Sequence, residues 1–143
     1  MSQAGRTPFD VTIEKTNKVL KDIEESYGWP RERRRQSYDA LRAVLHALRD
    51  RLVVNEAADM AAQLPMLIRG LFFEGWKPAK VPVKMTRDEF LGRVRREFPF
   101  EVEGGAGLLV ERVVQAIRRY VTEGEWQDIR STLPRELVEI LPA

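Results

Sequence analysis

Apolar residues recur along this chain at intervals of three and four, the period of a helix with one buried face. Leu41, Val44, Leu45, Leu48 and Leu52 form the clearest stripe, on a helix predicted over 31–52. Residues 1–9 read as a loose arm. Ile13, Leu20 and Ile23 mark a first helix over about 11–26, capped by Asp10 and ended by Tyr27-Gly28-Trp29-Pro30. In Ala57 to Phe73 a short helix over 56–63, with Asn55 as N-cap, turns at Leu64-Pro65 and restarts as an apolar helix. Residues 74–85, with two prolines and a Gly-Trp turn, read as a linker. Thr86 and Glu89 form a capping box for a helix with Phe90, Val94 and Phe98 on one face. Gly104-Gly105-Ala106-Gly107 breaks the chain, and further helices are predicted over 108–121, over 125–131 and from Pro134. No segment keeps a period of two, and Val81-Pro82-Val83, the only strand-like piece, is demoted by its proline. The pattern predicts an all-α fold of about eight helices.

The pattern also repeats. Setting residues 41–72 on 110–141 without a gap places Leu41, Val44, Leu45, Leu48 and Leu52 on Val110, Val113, Val114, Ile117 and Val121. Identical pairs are Ala47/Ala116, Arg49/Arg118, Glu56/Glu125, Asp59/Asp128, Leu64/Leu133 and Pro65/Pro134. Agreement at the turn and at both acids goes beyond two amphipathic helices in phase. The expectation is a single domain over 1–143, a helical bundle of two tandem repeats, about 10–73 and 86–142. Each has a helix-Leu-Pro-helix unit, and the two are expected to pack with pseudo-twofold symmetry. The repeated acids have a plain reading. Glu56 and Glu125 lie in a first helical turn, where a negative charge meets the helix dipole. Asp59 and Asp128 are expected to pair with Arg49 and Arg118.

Composition narrows the chemistry. There is no cysteine, which removes disulfides, zinc–thiolate sites and cysteine nucleophiles. Hydrophobic residues make up 43% and charged residues 32%, the balance of a soluble globular protein. No apolar run reaches the roughly 20 residues that span a bilayer, and the first ten residues lack a signal-peptide core. The expected location is the cytoplasm, with no membrane contact. The net charge is +2, from 24 basic and 22 acidic residues, so composition forces no affinity for polyanions.

The stretch Ala40 to Trp76 resembles the bacterial domain of unknown function 2267 family. Leu48-Arg49-Asp50-Arg51-Leu52, Ala62-Gln63-Leu64-Pro65 and Arg69-Gly70 carry the resemblance, with Tyr27-Gly28-Trp29 and Asp88-Glu89-Phe90 on either side. It implies a small, all-helical, soluble bacterial protein and brings no activity, cofactor or catalytic residue. The second repeat keeps the Leu-Pro but not the Arg-Asp-Arg-Leu run.

Two sets of side chains stand out as candidate sites. Arg35, Arg42, His46 and Arg49 share one flank of the second helix, a candidate anion or nucleic-acid face. Interspersed Glu32, Asp39 and Asp50 favour an ion-paired surface instead, and no helix-turn-helix, RNP motif or stacking platform accompanies the arginines. His46, the only histidine, has no second histidine or cysteine to share a metal with, and the helical wheel sets it on a flank. Phe72, Phe73 and Trp76 form an aromatic tract at a helix end. It either fills the seam between repeats or, if exposed, marks a protein interface, a homodimer seam included. The glycine run lacks the Gly-Lys-Ser/Thr of a phosphate loop. No nucleophile elbow, His-Glu helix motif or other catalytic constellation is present, so neither an enzyme nor a cofactor is expected. The expected role is a non-catalytic interaction or regulatory protein using a helical face toward an unknown protein partner or a second copy. Nucleic-acid binding is the alternative.

Overall fold

The computed structural model describes residues 5–143. Among them are eight α-helices and no strand: α1 Pro8–Tyr27, α2 Arg34–Arg51, α3 Val54–Gln63, α4 Met66–Phe73, α5 Arg87–Glu97, α6 Gly105–Ile117, α7 Glu123–Thr132 and α8 Arg135–Val138. Single 3₁₀ turns lead into α2, punctuate the 74–85 linker and follow α6. None of the helices is long and apolar enough to cross a membrane.

Local chemistry sets the helix ends. The first helix starts earlier than the Asp10 cap implies, so the expected arm shrinks, and residues 1–4 of it lie outside the described residues. Thr7 is the N-cap, Pro8 holds the first helical position, and Asp10 closes a capping box onto the Thr7 backbone N–H. The box at Thr86 and Glu89 opens α5 as expected. Asn55 is not a cap: α3 begins one residue before it, on Val53, whose side chain accepts nothing. Pro65 and Pro134 are themselves the N-caps of α4 and α8 rather than first-turn residues. The glycine run does not end before its helix. Gly104 turns the chain at φ 77°, where a Cβ would collide with Leu108, and Gly105 to Gly107 already belong to α6.

The core is organised around α2, which packs against α1, α4, α5 and α6. The heptad-like stripe understates its burial. Ala40, Leu41, Ala43, Val44, Leu45, His46, Ala47, Leu48 and Arg49 are all buried, so most of the circumference is covered. Alanines at 40, 43 and 47 let neighbouring helices approach on sides the stripe leaves out. A buried leucine of this kind contributes roughly 1.5–3 kcal/mol. The α1–α2 corner is fixed by a buried carboxylate. Glu24 accepts from Arg34 at 2.8 and 3.1 Å and from the Ser37 hydroxyl at 2.7 Å. The Arg34 hydrogen bond holds the Glu24 carboxyl below its ordinary value. A second layer forms where α3 packs against α7 and α5 against α6 and α8.

Candidate functional site

α4 is Met66-Leu67-Ile68-Arg69-Gly70-Leu71-Phe72-Phe73, apolar nearly all round. One helix face needs fewer apolar groups than that. Ile68 and Phe72 turn inward and are fully buried. Leu67 and Met66 face out and are each 49% exposed. α1 lies alongside, tied on by the Thr12 hydroxyl, which accepts the Leu67 backbone N–H at 2.9 Å. Between the two helices runs an open groove of about 680 Å³. Thr16, Asn17 and Leu20 of α1 form one wall, Leu67, Gly70, Leu71 and Phe73 the other, and Tyr38 and Leu41 of α2 the floor. Beyond the groove's rim Phe9 and Ile13 continue the α1 stripe into solvent, 68% and 49% exposed.

The aromatic tract divides between core and groove. Phe72 is buried, Phe73 lies edge-on to it at 5.3 Å and stacks at a tilt on Trp76 at 4.9 Å, and Phe73 and Trp76 are half-buried. Phe73 alone of the three lines the groove. The sequence reading took Ile13 only as a helix position and did not single out Phe9 or Leu67. For Leu67 the signal was present: a short helix carrying more apolar residues than one buried face needs.

Three of the four residues of the basic flank meet behind α4, not on open surface. Arg49 is 4% exposed and His46 5% exposed. His46 is therefore not on the outer flank where the wheel set it, because α4 and α5 close over that side of α2. Its Nε2 donates to the Leu71 carbonyl at 2.8 Å, and Nδ1 lies 3.5 Å from Glu97. Arg49 donates to the carbonyls of Phe72 at 3.0 Å and Glu74 at 2.6 Å, and to Asp50 at 2.9 Å. These carbonyls end α4 without intrahelical partners, so a buried guanidinium serves as their cap. Arg42 bridges Glu74 at 2.9 Å and Glu97 at 2.8 Å. Its hydrogen bond to Glu74 holds that carboxyl below the ordinary value. Arg35 stands apart, exposed, paired with Asp39 at 3.3 Å and lying over the Tyr38 ring.

The repeated acids gather at the α3–α7 seam. One carboxylate oxygen each of Glu56, Glu125 and Asp128 lies within 4.8 Å of the others, a spacing a divalent cation could bridge. One oxygen of Glu56 and one of Glu125 are buried without a hydrogen-bond donor. Neither Asp59 nor Asp128 forms an ion pair among the described residues. The expected pairing fails because Arg49 turns to Asp50 and the α4 carbonyls, and Arg118 to Glu123 and the Ala143 carbonyl. Burial first, then a hydrogen bond with Glu56 and the charges of Glu56, Asp59 and Asp128, push the Glu125 carboxyl up to about 7. The helix dipole is outweighed there.

Comparison with known sequences agrees with this architecture. Residues 16–140 match the family described as an uncharacterized conserved protein, DUF2267, and the chain belongs to that family. No curated protein matches it.

Proposed function

We propose that this DUF2267 chain is a small non-catalytic interaction or regulatory protein that binds another macromolecule through the helical face around the α1–α4 groove. The observation that carries this reading is the groove itself, an apolar trough with helical walls and an exposed apolar rim. Soluble proteins leave such continuous apolar surface where something covers it. A trough between two helices suits an amphipathic helix with anchors at i, i+3, i+4 and i+7. The nucleic-acid alternative has weaker support, because Arg42, His46 and Arg49 already spend their hydrogen bonds on Glu74, Glu97, Asp50 and the end of α4.

We further propose that the bundle arose as two copies of one unit. Four features support this. α3 and α7 are each 10 residues long, 69 positions apart. The extended Leu-Pro turns that follow have matching dihedrals, ψ 150° at Leu64 and 148° at Leu133. Arg49 and Arg118 each donate to the carbonyl 25 residues on, at Glu74 and Ala143. α3 and α7 also meet antiparallel, with Gln63 at the end of one bonded to Thr122 at the start of the other.

The test places a photo-crosslinking amino acid at Leu67, in living cells, with Arg135 as an exposed control outside the groove. Adducts with a macromolecule at Leu67 and not at position 135 support the groove. Equal or absent crosslinking at Leu67 overturns it.

A further inference from the structure

We propose that two basic recesses between α2, α5 and the 74–85 linker form a binding site for a small polyphosphate, a diphosphate or the diphosphate end of a larger ligand. The site shares no lining residue with the α1–α4 groove and does not depend on that reading.

Charge is uneven along the chain. Residues 75–97 hold seven basic and three acidic side chains, whereas the rest of the chain holds 17 basic and 19 acidic. The fold gathers part of that surplus. Arg93 and Arg96 stand three apart on α5, a spacing that puts them on one face. Both line a recess of about 170 Å³ against His46, Arg49 and Asp50 of α2. Lys77 and Lys80 bracket the 3₁₀ turn of the linker, closed by the Lys80 N–H on the Lys77 carbonyl at 2.9 Å. Side chains three apart on such a turn point the same way. These two line an adjoining recess of about 290 Å³. Asp50 and Arg93 belong to both recesses. The linker is fastened there by the Val83 N–H, which donates to the Asp50 carbonyl at 2.7 Å.

The positive groups exceed the acids that hold them. Asp50 accepts from Arg49 Nε at 2.9 Å and from Arg93 Nη1 at 3.1 Å, one oxygen each. That carboxylate orients two guanidinium groups. It leaves Arg49 Nη2, and Nε and Nη2 of Arg93, without an acceptor among the described residues. Arg96, Lys77 and Lys80 are exposed, and their side chains pair with no acid among the described residues. Glu97, the other acid of the lining, turns one oxygen to Arg42 and His46. Five cations therefore face two carboxylates that are already engaged, a surplus of three. A diphosphate carries about three negative charges near neutral pH, so it matches that surplus where a single phosphate falls short. Arginine forks suit phosphate oxygens, and the lysines add point charges. Arg49 is 4% exposed, so only a group small enough to enter the recess reaches it. This favours a small ligand over the backbone of a nucleic acid.

Amide NMR of the full chain titrated with inorganic pyrophosphate, in about 50 mM salt and without divalent cations, tests the site. The expected result is saturable shifts confined to residues 49–50, 77–83 and 93–97, with orthophosphate bound about tenfold more weakly because it fills one recess only. Arg96→Gln, Lys77→Gln and Lys80→Gln, all at exposed positions, should each weaken pyrophosphate several-fold with unchanged helical circular dichroism. Arg95→Gln removes the same charge from α5 outside the recesses and should leave the affinity within about twofold. No saturable shift up to about 5 mM pyrophosphate, or a loss in Arg95→Gln equal to that in Arg96→Gln, overturns the proposal. So does mixed-sequence RNA that displaces pyrophosphate at a lower phosphate concentration, which would mark a backbone-reading face instead. None of these outcomes alters crosslinking at Leu67, so this site and the groove stand or fall separately.

Discussion

Two polar clusters sit inside this helical bundle, and they are built on opposite principles. Behind α4, Arg42, His46 and Arg49 meet Glu74, Glu97, Asp50 and three backbone carbonyls, so both guanidinium groups and the imidazole have acceptors. At the α3–α7 seam, Glu56, Glu125 and Asp128 face one another, and no basic side chain among the described residues pairs with them. The first cluster fastens the end of α4, supplying donors to carbonyls that the backbone turn at Glu74 and Trp76 leaves over. The second contributes nothing by attraction and is tolerated because a proton neutralises part of it. Removing a partner should therefore harm the first cluster and relieve the second.

The largest expected effect is at Arg49. Arg49→Met leaves the Phe72 and Glu74 carbonyls at the end of α4 without their donor, although Asp50 keeps Arg93 at 3.1 Å, and should cost about 3 kcal/mol in urea unfolding. Arg118→Met, at the corresponding place in the second half, should cost about 1 kcal/mol or less, since that guanidinium is partly solvated and pairs with exposed Glu123. Equal losses would show that burial is not what separates the two arginines.

The seam should respond in the opposite sense. Glu125→Gln removes a like charge and should stabilise the protein at pH 8 by roughly 1 kcal/mol, allowing for the partial exposure of the site. The sign with pH follows from a folded value raised above the unfolded one. The protonated carboxyl costs nothing below about pH 4.5, and the fold loses stability as pH rises through about 7. Melting temperature of the wild type should thus fall between pH 5 and 8 relative to Glu125→Gln, in which that dependence flattens. A variant with the same pH profile as the wild type would exclude a raised Glu125 value.

The smallest effects lie at the helix starts beside the seam. Thr122 caps α7 by accepting the Glu125 N–H at 3.2 Å, while Val53, its counterpart, gives α3 no cap. Thr122→Ala should cost about 1 kcal/mol, and Val53→Thr should gain about 0.5 kcal/mol, both in thermal unfolding. The backbone at 53 already holds cap geometry, φ −66° and ψ 157° against −62° and 155° at Thr122, so no gain from Val53→Thr would show that the missing hydroxyl is not what separates the two helix starts.

The fold class and the order of helices were readable because period and punctuation agreed: Pro65, Pro134 and the Thr86–Glu89 box mark boundaries that the structure keeps within a residue or so. The depth of α2 was not readable. A helical wheel reports how many apolar residues a helix carries, and alanines at 40, 43 and 47 count little there although they are what lets other helices close in. For the same reason His46 looked peripheral. Arg49 and Asp59 were joined on sequence nearness, yet the carbonyls that claim Arg49 lie 23 and 25 residues downstream, a relation no local pattern encodes. The groove was half visible. Phe73 was singled out, whereas Leu67 was absorbed into an apolar run that only the structure divides into inward and outward sides.

The acid seam has a consequence for heat measurements. Near pH 6 the folded chain holds a proton at Glu125 that the unfolded chain, with an ordinary glutamate value, gives up. Unfolding therefore hands a fraction of a proton to the buffer, and the buffer's own heat of ionisation enters the measured enthalpy. Calorimetric scans at one pH in phosphate and in an amine buffer will disagree by that amount, and the part of the difference lost in Glu125→Gln counts the proton kept between α3 and α7.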